Sequence, residues 1–267
     1  MSCVDFSKLP VQRLQLQICY QGSAYHGWQI QAPKQPPDTI QGWLEWAFLR
    51  LTGAALRVTG AGRTDAGVHA LGQIAHIDVP RELINRPWQR GLNALLPQDI
   101  RVVKVAQVAQ SFHARFSARS KTYIYHLWPE QSFVPPERYP FVWACGPLDL
   151  RAMEAALPFF LGCQDFASLQ NRGTDLKTTV RDISSLKLYP LPLNPYLPPH
   201  TPEICLEVTA NGFLKQMVRN LTGLLVWVGR NLLQPDDIKT VLAAKAREFS
   251  PYPTAPAKGL TLASILY

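Results

Sequence analysis

The chain has 267 residues, more than the roughly 100 to 200 of a single typical domain, and 47% are hydrophobic, enough to build one large core or two. With 27 Lys and Arg against 19 Asp and Glu the formal charge is +8, which puts a polyanion, and nucleic acid first, among the expected partners. Five cysteines, at 3, 19, 145, 163 and 205, form no Cys-x-x-Cys pair and are odd in number, which argues against a zinc cage or a disulfide framework. No apolar run nears the roughly 18 residues of a membrane span, and the first residues lack a basic flank leading into an apolar stretch, so a cytoplasmic protein off the membrane is expected.

In chain order, Leu14, Leu16, Ile18 and Tyr20 alternate with Arg13, Gln15, Gln17 and Cys19, the period of a strand with one buried face, as antiparallel sheets use. After a proline-rich link, Asp38 or Thr39 caps a helix whose apolar positions Ile40, Trp43, Leu44, Ala47, Phe48 and Leu51 recur at three and four residues until Gly53 stops it. Strands are predicted at 57–60, 73–79 and 101–105, with a helix over 84–95 between the last two. A second set follows, with strands at 121–128, 182–189 and 203–209 and helices at 150–161, 213–232 and 236–245. The expectation is an α+β chain of two halves, 1–115 and 116–267, on largely antiparallel sheet. Between Tyr189 and Glu203, six prolines in the 13 residues from Pro190 to Pro202 exclude ladder and helix and predict an exposed loop.

Charge is concentrated between Arg81 and Lys121, where eight basic residues and two acids (Glu82, Asp99) account for +6 of the +8. Arg115, Arg119 and Lys121 close this segment and are the candidates for phosphate contact.

The densest unusual stretch is Gly60-Ala61-Gly62-Arg63-Thr64-Asp65-Ala66-Gly67-Val68-His69-Ala70, between two strand patterns. Its three glycines allow positive φ and close approach of a ligand, and Arg63 and Asp65 place opposite charges beside that opening. On a helix over 213–232, Phe213, Leu214, Met217, Leu221, Leu224 and Val228 share one arc, whereas Lys215, Gln216, Arg219 and Gly223 lie outside it. That wheel turns Arg219 away from the core and leaves room beside it at Gly223. Tyr123, Tyr125 and Leu127 share one face of a strand, which is also the pattern of a plain core stripe.

The run Gly62-Arg63-Thr64-Asp65-Ala66-Gly67-Val68-His69 resembles, unbroken, the active-site motif of the TruA family of tRNA pseudouridine synthases. Further similar patterns follow in order: Tyr25-His26-Gly27-Trp28-Gln29, Leu96-Pro97-Gln98-Asp99-Ile100, Phe112-His113-Ala114-Arg115 and Lys121-Thr122-Tyr123-Ile124-Tyr125. Gly212-Phe213-Leu214-Lys215-Gln216-Met217-Val218-Arg219 and Gly259-Leu260-Thr261-Leu262 complete them, so the resemblance spans nearly the whole chain. It departs from the family at Tyr20-Gln21-Gly22-Ser23, where relatives often carry Tyr-Asp-Gly-Thr, and at the proline-rich loop.

The resemblance implies the pseudouridine synthase fold, with two similar α/β-sandwich halves and a catalytic cleft between them. It implies a homodimer that acts on tRNA, at uridines 38, 39 and 40 of the anticodon stem-loop. It makes Asp65 the catalytic carboxylate, Arg219 its cationic partner, and Arg63 the residue that helps extrude the nucleotide. Tyr123 packs on the target base and Leu260 forms an apolar pocket wall.

Pseudouridine formation breaks the bond from C1′ to N1 and rejoins C1′ to C5, so no electrons or groups leave and no cofactor or metal is expected. An ionised Asp65 serves either as nucleophile at C1′ or as base toward C2′, and the sequence leaves both open. A metal hydrolase is disfavoured because His26, His69, His76, His113, His126 and His200 show no ligand-like pairing in sequence. A histidine-based ribonuclease and a non-catalytic RNA-binding module are the rival readings, separated from the isomerase by strand cleavage and by product analysis.

Overall fold

The strand beginning the described chain, β1 (Val11–Tyr20), buries Leu14, Leu16, Ile18 and Tyr20 while the residues between them stay half-exposed, as period-2 patterning requires. The computed structural model describes residues 10–32, 36–171, 178–192, 202–246 and 252–267. Its chain divides into two compact units, Met1–Arg119 with Leu262–Tyr267, and Ser120–Thr261. A single cut in sequence near residue 115 assigns those last six residues to the second half, whereas by packing they belong to the first.

In the first unit, helix α1 (Ile40–Thr52) begins where the Thr39 hydroxyl accepts the Gly42 amide at 3.2 Å and ends at Gly53 with φ 75°, a left-handed turn that favours glycine. A two-residue strand, β2 (Thr59–Gly60), precedes the long β3 (His69–Pro80). Helix α2 (Trp88–Leu95) starts later than the periodicity suggests, because Pro87 denies Arg86 the helical conformation. Strand β4 (Ile100–Val108) follows and is clasped to α2 by the Asn93 amide, which bonds both backbone groups of Val102 at 2.8 and 2.9 Å. β1 lies between β3 and β4, antiparallel to both, with Leu16 opposite Ala75 and Val105. Phe48 of α1 meets Trp88 of α2 at 5.3 Å, so the two helices close over a shared core.

The second unit carries β5 (Ser120–Trp128), the short β6 (Trp143–Ala144), helix α3 (Leu150–Ala156) and β7 (Gly162–Asp165). The periodic stretch from Leu150 leaves the α form at Leu157 and continues as one 3-10 turn, since Pro158 lacks the amide a longer helix needs. Strands β8 (Val180–Pro190) and β9 (Ile204–Ala210) pair antiparallel, and β9 pairs antiparallel with β5, giving the order β5-β9-β8-β7 with β6 parallel to β5. Helices α4 (Met217–Gly229) and α5 (Asp237–Ala243) follow. The predicted proline-rich loop lies, over 193–201, outside the described residues.

A final strand, β10 (Leu260–Leu266), supplies the first unit's segment from Leu262, which runs beside β3. Gly72 makes that approach possible: a Cβ there would stand 2.5 Å from the Ala263 carbonyl oxygen. The architecture is α+β on a mostly antiparallel sheet. Among the described residues no helix is long and apolar enough to cross a membrane.

Candidate active site

The motif around Asp65 follows β2 and is pinned from beneath by residues outside it. Gly60 lets the buried Trp28 indole lie against the backbone, where a Cβ would come within 2.5 Å of the ring. Gln73, fully buried in β3, donates to the Gly62 carbonyl at 2.8 Å. The Thr64 hydroxyl lies 2.8 Å from that of Tyr20, and the Thr64 carbonyl accepts the Trp28 amide at 3.0 Å. Past Asp65, its carbonyl accepts the Val68 amide at 3.2 Å, closing a turn for which Gly67 takes φ 79°. His69, the last motif residue, accepts the Gly22 amide on Nδ1 at 3.1 Å and is buried, so it holds the loop rather than facing solvent.

The outcome is a backbone fixed on both sides of a half-buried Asp65, with Arg63 and Ala66 exposed beside it. Burial pushes the Tyr20 hydroxyl up to about 12, so under Thr64 it stays a neutral hydrogen-bonding group. Tyr20 and Gln73 are the supports that sequence reasoning missed. Tyr20 was legible only as one more apolar position of β1, and a polar residue in a strand pattern carries no signal that it is buried.

The basic segment is divided in use. Arg101 donates to the carbonyls of Pro97 and Ile100 at 2.6 and 2.8 Å, and Arg86 to that of Leu51 at 2.7 Å, so these two serve the backbone. Arg115 and Arg119 are exposed on the first unit, and Lys121, half-exposed, opens β5 in the second.

In the second unit, Tyr123 is only 8% exposed, and its ring meets that of Phe213 edge-on at 5.2 Å. Leu260 is buried at the start of β10. Arg219 is the third residue of α4, and its setting corrects the helical-wheel reading. The helix begins at Met217, after Gln216 in the left-handed conformation at φ 59°, so Phe213 and Leu214 do not belong to its wheel. Nor has α4 an open side at Gly223: that glycine is buried, and a Cβ there would collide with the Pro253 carbonyl oxygen at 1.9 Å.

The segment admitted by Gly223 is what seats Arg219. Its Nε donates to the Ala255 carbonyl at 2.7 Å, and the Ala255 amide donates to the Arg219 carbonyl at 3.1 Å. Asn220, fully buried, reinforces this seat by donating to the Leu169 carbonyl and accepting from the Thr254 hydroxyl, both at 2.7 Å. Nearby, the Tyr125 hydroxyl donates to the Pro256 carbonyl at 2.7 Å. Burial drives the Tyr125 hydroxyl well above its usual value, and the charge of Arg219 opposes that rise.

Strand pairing also creates a cluster that sequence spacing hid. His126 of β5 lies opposite Cys205 of β9, and together with Glu203 their ligand atoms fall within 4.8 Å of one another. The Glu203 carboxylate is already taken: Arg138 donates to it with two nitrogens at 2.7 and 2.8 Å, and His126 Nδ1 lies 2.5 Å from it. With both Glu203 carboxylate oxygens engaged by the guanidinium, the arrangement reads as an ion-pair clasp between strand and loop.

The family model described as tRNA pseudouridine synthase matches residues 18–117 and 156–267. The chain is 51% identical to a tRNA pseudouridine synthase A from Lawsonia intracellularis, covering 96% of this chain and 99% of that one. It is 49% identical to one from Nitratidesulfovibrio vulgaris, with 96% and 99% covered, and 37% identical to one from Coxiella burnetii, with 96% and 93% covered. With the pinned Asp65 loop in one unit, the seated Arg219 in the other and similarity along both, the chain belongs to the tRNA pseudouridine synthase family and is an isomerase.

Proposed function

We propose that the chain converts uridine to pseudouridine in tRNA, at positions 38, 39 and 40 of the anticodon stem-loop, with Asp65 as the catalytic carboxylate. The observation that carries this reading is the loop around Asp65, whose backbone is tied down on both sides of a residue that is only half-buried. A reaction that rearranges one nucleoside without redox or group transfer needs one ionised, well-aimed carboxylate, and a rigid support is what aims it. No cofactor or metal enters the scheme.

Within the same proposal Arg219 supplies the positive charge that keeps the carboxylate ionised, and Arg63 helps turn the nucleotide out of its stack. Tyr123 packs against the uracil beside Leu260, and Arg115, Arg119 and Lys121 meet phosphates. Support for these roles is the residue-by-residue match of the motifs. The expected assembly is a homodimer, which rests on the family resemblance, and the expected compartment is the cytoplasm, which rests on the cysteine pattern and the lack of an apolar span.

The test is Asp65→Asn, which keeps the side-chain volume and removes the charge. The variant is expected to fold and to bind tRNA, while pseudouridine at positions 38 to 40, read by site-specific mapping, falls to background. Product formed at the parental rate overturns the assignment.

A further inference from the structure

Phe116 is the most exposed large hydrophobic residue among those described, 76% open to solvent on a loop of the first unit. The loop holds the ring outward. The His113 Nδ1 accepts the amides of Arg115 and Phe116 at 3.1 and 3.3 Å, while His113 and Ser117 exchange two hydrogen bonds, at 2.9 and 3.0 Å. The central residue, Ala114, is fully buried, with its amide bonded to His76 Nδ1 at 3.1 Å and its carbonyl accepting the Tyr267 hydroxyl at 2.7 Å. Such a scaffold denies Phe116 the collapse onto the surface that an exposed ring on a slack loop undergoes.

The surroundings name the chemistry of what covers it. The His113 ring lies 4.3 Å from Phe116, and the Arg115 guanidinium carbon stands 5.6 Å from the ring centroid, a cation-π arrangement. Arg115 and Arg119 are exposed, and neither is in an ion pair among the described residues. An exposed aromatic ring with the Arg115 guanidinium beside it, and Arg119 exposed three residues along the chain, fits a nucleobase and its phosphate. An apolar protein patch would instead surround the ring with further hydrophobic side chains.

We propose that Phe116, with Arg115 beside it, is a stacking platform for an unpaired base of the bound RNA, additional to the pocket that holds the reacting uracil. The inference rests on tRNA being the substrate. A stack of this kind tolerates any base and adds affinity without reading sequence.

The experiment measures tRNA affinity by anisotropy over a range of salt for the parent, Phe116→Ala, Phe116→Leu and Phe116→Trp, with melting temperature as the check on folding. Loss of a base stack predicts about 5- to 150-fold weaker binding for Phe116→Ala. Phe116→Leu, apolar but without a ring, is expected to follow it, and Phe116→Trp to bind as well as the parent. The salt slope stays the same in all three, because no charge is removed, whereas Arg115→Gln lowers it. Parental affinity in Phe116→Ala or Phe116→Leu overturns the platform. Pseudouridine assays on the same tRNA with the parent separate the two readings: a parent that makes none, in the presence of weakened Phe116→Ala binding, removes the proposed activity and leaves the platform standing.

Discussion

The hydroxyl oxygens of Tyr20 and Thr64 lie 2.8 Å apart in the interior of the first unit, tying the last residue of β1 to the residue preceding Asp65. Tyr20→Phe removes one side of this contact and leaves the buried Thr64 hydroxyl short of a partner, a cost of about 1 to 3 kcal/mol. The expected variant melts at lower temperature and binds tRNA as the parent does. With Asp65 as the proposed catalytic carboxylate, the variant's single-turnover rate is expected to drop about tenfold or more, since a small displacement of a reacting group is expensive. A parental rate would show that the loop keeps its aim without Tyr20.

His76 links stability to pH. Burial, followed by the charges of Arg13 and His113, lowers its pKa from 6.5 to about 4, with Asp78 opposing. Between those values the unfolded chain binds a proton that the folded chain does not, so stability present above pH 6.5 is lost progressively as pH falls toward 4. Urea midpoints across this window are expected to fall for the parent and to change less for His76→Gln. Parallel curves for the two proteins would assign the loss to other groups.

Glu203 behaves as an acid anchored in a clasp. Burial alone would raise its pKa, but the hydrogen bonds from His126 and Arg138 and the charge of Arg138 outweigh it and hold the carboxyl below its usual value of 4.5. The clasp therefore contributes stability above that value and loses it as pH falls through the lowered pKa. Glu203→Gln strips Arg138 of its counter-charge and is expected to destabilise the chain by about 3 kcal/mol at neutral pH. Chemical denaturation at pH 7 checks the magnitude, and repeating it below pH 4.5 is expected to bring parent and variant closer together.

Gly223→Ala sets a methyl group where the Pro253 carbonyl oxygen lies, 1.9 Å from the new atom. Because both are backbone-fixed, the 253–255 segment has to move, at about 1 to 3 kcal/mol for such overpacking. The same segment carries the Ala255 carbonyl that receives Arg219, so the activity is expected to fall further than the stability loss explains. Rates measured well below the variant's melting temperature test this, and an unaltered rate would separate Arg219 from that seat.

Elements and family were legible in the residues because they depend on neighbours a few positions apart. Alternation in β1, the three-and-four repeat of α1 with its Thr39 cap and Gly53 stop, and the unbroken run from Gly62 to His69 are local patterns, and each reappears in the fold. Where a proline intervened, at Pro87 and Pro158, periodicity overran the true helix, since the side-chain pattern does not register a missing amide. The setting of Arg219 was not legible: its partner Ala255 lies 36 residues away and reaches α4 only because Gly223 leaves space for it. The same holds for Gln73 under Gly62, for Cys205 opposite His126, and for the return of Leu262–Tyr267 to the first unit. Sequence by itself determined which residues prefer strand, helix or turn and which motif they spell. Tertiary structure alone decided which polar groups meet across the chain, because burial makes an unpaired donor or acceptor costly wherever in sequence its partner lies.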